Sequence, residues 1–60
     1  MKYDNTDYVE FLRKLDGSDV SLTDWEAEFV GSNIDKGTFS DRQREAMDSM
    51  IAKYGERIKF

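Results

Sequence analysis

The chain of 60 residues contains no cysteine, no histidine and no proline. Without cysteine it forms no disulfide, and without cysteine or histidine it lacks the usual ligands of a structural zinc site. The same absences exclude Ser–His and Cys–His nucleophilic pairs. We therefore expect a non-enzymatic protein with no metal and no cofactor. A domain this small has a thin core, so its stability must come from apolar packing, helix caps or a partner.

Long hydrophobic stretches are also missing. No run approaches the roughly 18 apolar residues that cross a bilayer, and the acidic start MKYDNTDY lacks the apolar segment of a signal peptide. The lack of cysteine fits a reducing compartment. These observations predict a single cytoplasmic domain over residues 1–60.

Charged residues are abundant but unevenly distributed. The net charge is −4, with nine acids and three bases in residues 1–35 and four acids and six bases in residues 36–60. An acidic first half favours binding to basic surfaces and disfavours binding to nucleic acid. The alternative is that these charges only solvate a small helical bundle.

A repeated pentapeptide indicates two helix starts. The string LTDWE recurs seventeen residues later as FSDRQ. Thr23 and Ser40 can accept hydrogen bonds from free N–H groups of a first helical turn. Glu26 and Gln43 lie three residues further on and can reach back to the cap, which would complete two capping boxes.

Three helices follow from these caps and from apolar periodicity. An i, i+3, i+4, i+7 stripe begins at Tyr8, and a second begins at Met47. The predicted helices span about residues 5–15, 24–34 and 41–54, and the last two form a capped helical hairpin. The expected fold class is an all-α three-helix bundle.

The apolar stripes also predict the core. Its expected members are Tyr8, Phe11, Leu12, Leu15, Leu22, Trp25, Phe29, Val30, Ile34, Phe39, Met47, Met50, Ile51, Tyr54 and Ile58. Trp25 has a second interpretation as a partly exposed interface anchor, and the methionines a second one as an adaptable binding groove. Gly31 either weakens the middle helix, lets another helix approach, or ends the helix early. Residues 56–60 fit either a helical or an extended segment.

The sequence matches neither of two common binding motifs. The string NIDKGTFSDRQRE resembles an EF-hand loop, but aligning Gly37 with the loop's turn places Ile34 and Lys36 at ligand positions. Neither side chain supplies the oxygen that calcium requires. No glycine-rich phosphate loop is present.

Nucleic-acid binding is the alternative function. A helix-turn-helix could present a basic face on its second helix. The candidate residues are Arg42, Arg44, Lys53 and Arg57. Acidic residues lie among them and the chain is acidic overall, whereas nucleic-acid-binding domains are usually strongly basic.

Segment 22–55 is similar to a helical-hairpin pattern of phage-encoded small proteins and of segments attached to DNA-processing enzymes. The pattern is carried by Leu22-Thr23-Asp24-Trp25, Phe29, Gly37, Phe39-Ser40, Gln43 and Lys53-Tyr54. The resemblance implies a phage or mobile-element origin and a role as a binding module.

The predicted function is a small acidic protein-binding domain. With a phage origin, it would modulate or inhibit a larger host protein or defence complex. The candidate contact residues are Asp7, Glu10, Asp24, Trp25, Glu28 and Asp35. Carboxylates would meet basic residues of the partner, which speeds association and sets the register of the complex.

Overall fold

A computed structural model describes residues 3–60; Met1 and Lys2, the latter one of the bases counted above, lie outside the described residues. The chain forms α1 (Asn5–Asp16), α2 (Asp24–Asn33) and α3 (Asp41–Tyr54). No strand occurs within residues 3–60. The predicted all-α three-helix bundle is confirmed, with each boundary within one residue of its predicted place.

The two predicted capping boxes are present. In α2, Thr23 Oγ1 accepts from the Glu26 N–H at 3.1 Å, and Glu26 Oε1 accepts from the Thr23 N–H at 2.9 Å. Ser40 and Gln43 exchange the same two bonds at the start of α3, at 3.2 and 2.8 Å. The repeated pentapeptide is therefore a repeated helix start.

Helix α1 begins with a third capping box. The cap is Asp4, whose Oδ1 accepts from the Asp7 N–H at 2.8 Å, while Asp7 Oδ2 accepts from the Asp4 N–H at 3.2 Å. These carboxylates also lie at the positive end of the helix dipole. Asp7, a candidate contact residue, is thus half-buried in a local structural role.

The glycines that follow α1 and α3 do not adopt left-handed conformations. Gly17 and Gly55 have φ values of −84° and −54°. Gly55 is needed for space instead, because a Cβ built there would lie 2.5 Å from the carbonyl oxygen of Ile51. Nothing lies within 4 Å of a Cβ at Gly31, so this glycine does not serve the approach of another helix.

Residues 55–60 continue in helical turns and close with a Schellman motif. The Phe60 N–H donates to the Gly55 carbonyl at 2.9 Å, and the Lys59 N–H donates to the Glu56 carbonyl at 3.3 Å. Lys59 takes the left-handed position that glycine usually fills, with φ 55°. The Phe60 ring thereby packs on Phe11, with 5.3 Å between ring centroids.

The core lies between α1 and the other two helices. Its buried members are Tyr8, Phe11, Leu12, Leu15, Val30, Phe39, Met47, Met50, Ile51 and Tyr54. All were predicted. The placement of Trp25 in the core was wrong, because its side chain is 59% exposed. Helix α1 packs directly on α2 and α3, whereas no Cα atoms of α2 and α3 approach within 8 Å of each other.

Candidate protein-binding surface

A buried carboxylate joins the start of α2 to the end of α3. Glu26 is only 7% exposed, and its Oε1 accepts from the Tyr54 hydroxyl at 2.6 Å and from the Thr23 N–H at 2.9 Å. Its Oε2 accepts from Lys53 Nζ at 3.2 Å. We name these four residues the Glu26 cluster. The hydrogen bond from Tyr54, followed by those from Thr23 and Lys53, outweighs burial and lowers the pKa of Glu26 to about 2.

A second polar bridge joins the opposite ends of the same helices. The side chain of Asn33 is buried at the end of α2, where Nδ2 donates to the Phe29 carbonyl at 2.8 Å. Its Oδ1 accepts from Gln43 Nε2, at the start of α3, at 3.1 Å. With the Glu26 cluster, this bridge sets α2 and α3 antiparallel. Among the described residues, no buried side-chain nitrogen or oxygen lacks a hydrogen-bond partner.

Two adjoining hollows lie on the surface formed by α2 and the facing side of α3. One hollow, of about 280 Å³, is lined by Trp25, Glu26, Ala46, Ser49, Met50 and Lys53. A second, of about 300 Å³, is lined by Trp25, Glu28, Phe29, Ser32 and Asn33. The second hollow is lined by α2 residues alone, and Trp25 is the residue that both hollows share. We name the two hollows together the α2–α3 groove.

The exposure of Trp25 has a geometric cause. Its indole stacks on Phe29, one helical turn away, with 5.2 Å between ring centroids and 28° between planes. Across the groove, α3 presents Ala46 and Ser49, whose short side chains cannot cover the indole. The wide separation of the two backbones leaves the remaining face of the ring exposed.

The surface around Trp25 is acidic. Asp24 and Glu28 are exposed on α2, and Glu28 lines one of the hollows. Helix α2 contains no lysine or arginine. Asp35 is exposed just after the end of the helix. Four of the six predicted contact residues, namely Asp24, Trp25, Glu28 and Asp35, therefore belong to α2 or to the turn that follows it.

The other two predicted contact residues belong to α1. Asp7 is held in its capping box, and Glu10 is exposed. Neither lines the α2–α3 groove. The structure thus separates the predicted acidic set into one group on α2 and two isolated positions on α1.

The residues of the predicted basic face are also divided. Arg44 is partly buried, donates to Asn5 Oδ1 at 3.1 Å and pairs with Asp41 at 3.5 Å. At about 100° of rotation per residue, Arg44 lies on the side of α3 opposite Arg42. Lys53 is paired with the buried Glu26, and Tyr54 and then Glu26 raise the pKa of the lysine. Arg57 is exposed in the turns after α3.

Neither the contacts of Glu26 with α3 nor the α3 residues that line the groove are predicted from the sequence. The sequence indicates only a local capping role for Glu26. An antiparallel hairpin places the start of its first helix beside the end of its second, so the proximity of Glu26 to Tyr54 followed from the predicted fold. The small residues Ala46 and Ser49, spaced i, i+3 on α3, were the signal for a gap.

Within residues 3–60, no group of acidic side chains is arranged to hold a metal ion, and no helix is long and apolar enough to cross a membrane. Comparisons with protein-family models, curated proteins and solved structures find no match for this chain. The resemblance of segment 22–55 to phage helical hairpins stays a prediction.

Proposed function

We propose that this chain is a non-enzymatic protein-binding domain whose contact surface is the exposed side of α2 together with the α2–α3 groove. The observation that carries the proposal is Trp25, the one exposed large hydrophobic side chain in the described part of the chain. Tryptophan on an accessible ridge is the residue type most enriched at the energetic centres of protein interfaces. Its neighbours Asp24 and Glu28 provide a charged rim.

The groove is supported by rigid contacts on both sides. The Glu26 cluster and the Asn33–Gln43 bridge fix the relative position of α2 and α3. The stacking on Phe29 restrains the indole. A preorganised surface loses less side-chain entropy on binding than a mobile one, so more of the contact energy appears as affinity.

The sequence resemblance suggests which kind of protein the partner is. If segment 22–55 shares the origin of phage helical hairpins, the partner is a larger host protein or defence complex in the cytoplasm. Binding would then modulate or inhibit that partner by occupying its surface. The acidic charge of α2 favours a basic region of the partner.

Site-specific photo-crosslinking tests this proposal. A photoreactive phenylalanine analogue replaces Ser32, which is exposed and lines the groove, and in a control it replaces Thr6, which is exposed on α1. We expect position 32, and not position 6, to give a discrete adduct in the cells that produce the protein. Adding Trp25→Ala should remove the adduct. Equal labelling from both positions, or none from position 32, would contradict the proposal.

Nucleic-acid binding by α3 remains the alternative proposal, supported by the exposure of Arg42 and Arg57. Titration with random duplex and single-stranded DNA at low salt distinguishes the two. Binding that falls steeply with salt and disappears in the Arg42→Ala, Arg44→Ala double variant would favour the alternative. No binding at about 50 mM salt would eliminate it.

A further inference from the structure

We infer that the α2–α3 groove accepts an amphipathic helix of the partner, with one apolar side chain seated in each hollow and basic residues facing α2. This inference rests on the proposed function and specifies the chemistry of the partner. The partner helix would lie along the exposed side of α2, over Trp25.

The groove offers two places for an apolar anchor. The two hollows, of about 280 and 300 Å³, share Trp25 as a lining residue. Apolar side chains spaced i, i+3 or i, i+4 project from one face of a helix and can enter two adjoining hollows. Met50, almost fully buried, forms an apolar floor of the first hollow, and Phe29 forms part of the second.

The charges that line the groove indicate that the partner helix is basic on the side that faces α2. The α2 wall carries Asp24 and Glu28 without any lysine or arginine in the helix. The α3 wall contributes Lys53, but Glu26 neutralises this cation. The net field at the groove is therefore negative on the α2 side, and lysine or arginine on that flank of the partner helix would be attracted.

The same charges argue against a second copy of this chain as the occupant. Pairing two α2 surfaces would bring Asp24 and Glu28 of each copy close to those of the other. The chain as a whole also carries a net charge of −4. Like charges placed opposite each other oppose association, so the groove fits a basic partner better than the α2 surface of a second copy.

Fluorescence anisotropy with a defined peptide tests the inference. The probe is a labelled helical peptide of about 15 residues, or about four turns, with two leucines spaced i, i+4 and lysines along one flank. One control peptide replaces the lysines with glutamates, and a second scrambles the sequence. We expect the first peptide alone to bind, with a blue shift of the Trp25 emission as the indole becomes buried.

Four variants of the protein locate the peptide. Trp25→Ala should weaken binding at least about tenfold. The Asp24→Asn, Glu28→Gln double variant should weaken it severalfold, with an effect that shrinks as salt rises. Ser49→Leu should fill the first hollow and also weaken binding at unchanged charge. The Asp16→Asn, Asp19→Asn double variant, an equal loss of exposed charge at the end of α1 and just beyond it, should leave the affinity unchanged.

The outcomes separate this inference from the proposed function. Equal binding of the acidic or scrambled peptide, or equal affinity of Ser49→Leu and wild type, would overturn the inference. If the basic peptide fails to bind while crosslinking at position 32 still captures a protein, the helical partner is wrong and the proposed function stands. If neither experiment gives the expected result, the inference and the proposed function are both contradicted. Self-association that sedimentation shows to depend on Trp25 would identify a second copy as the occupant instead.

Discussion

Replacement of Glu26 by glutamine tests how much the Glu26 cluster contributes to stability. Glutamine has nearly the same shape and can still cap α2, as Gln43 does for α3. What it removes is the negative charge that accepts from Tyr54, Thr23 and Lys53. Because the packing changes little, the variant measures the electrostatic contribution of the cluster to the free energy of unfolding.

The expected loss follows from the three hydrogen bonds. A bond to a charged group is worth about 1.5–3 kcal/mol and a neutral one about 0.5–1.5 kcal/mol, so about 1 kcal/mol is lost at each of Tyr54 and Thr23. Lys53 adds little, because its side chain is 55% exposed and solvent screens its charge. We expect Glu26→Gln to lower the free energy of unfolding by about 2 kcal/mol at pH 7. The lowering of the Glu26 pKa from 4.5 to about 2 sets a ceiling of about 3 kcal/mol.

The effect should depend on pH in a definite direction. The fold lowers the pKa of Glu26, so the stabilisation is fully present above about pH 4.5 and is lost as the pH falls through about 2. The stabilities of wild type and Glu26→Gln should therefore converge on acidification. Comparing the two proteins cancels the titration of the other carboxylates.

Urea denaturation at several pH values between 7 and 2, followed by circular dichroism, measures this difference. Glu28→Gln is the matched control, because Glu28 is exposed on the same helix and should change stability by less than about 0.5 kcal/mol. At this chain length, the expected loss in Glu26→Gln corresponds to a fall in Tm of roughly 10–20 °C. A difference below about 0.5 kcal/mol, or one that stays constant from pH 7 to pH 2, would refute the reasoning.

Three further predictions concern a helix cap, two glycines and a left-handed residue, and urea denaturation measures the stability of each variant. Ser40→Ala removes the cap of α3 and should cost about 1 kcal/mol, and an unchanged midpoint would contradict the capping assignment. Gly31→Ala should stabilise the fold by about 0.5–1 kcal/mol, because the added Cβ meets nothing within 4 Å. Gly55→Ala should destabilise the fold, because the added Cβ would collide with the Ile51 carbonyl. A change of the same sign in both variants would be inconsistent with this geometry. Lys59→Gly should stabilise by about 0.5–1 kcal/mol, because Lys59 is left-handed, and a loss of stability would exclude strain there.

The helix boundaries were predictable because capping is local chemistry. A helix start is determined within one turn by the hydroxyl of Thr23 or Ser40 and by the Glu or Gln three residues later. These residues interact locally, so the signal does not depend on the rest of the chain. Apolar spacing in α1 and α3 likewise identified the buried residues. The fold class follows from these local signals, since three short amphipathic helices have few ways to bury their stripes.

The candidate site was less predictable because it depends on the distance between helices. The apolar stripes place Trp25 in the core, but its side chain is 59% exposed, and no Cα atoms of α2 and α3 approach within 8 Å of each other. The polar side chains of Glu26 and Asn33 bridge the two helices near the ends of α2. Sequence periodicity identifies which residues share a face, but it does not give the width of the gap that the face borders.

The thin attachment of α2 has a consequence for local opening. Val30 is its one fully buried apolar side chain, and its hydrogen bonds to α3 lie near its ends. Segments with few buried apolar contacts unfold locally at lower free energy than the rest of a domain. Amide hydrogens of α2 should therefore exchange with deuterium ahead of those in the middle of α1. Anything that occupies the groove would slow this exchange, so hydrogen–deuterium measurements would detect a bound partner before its identity is known.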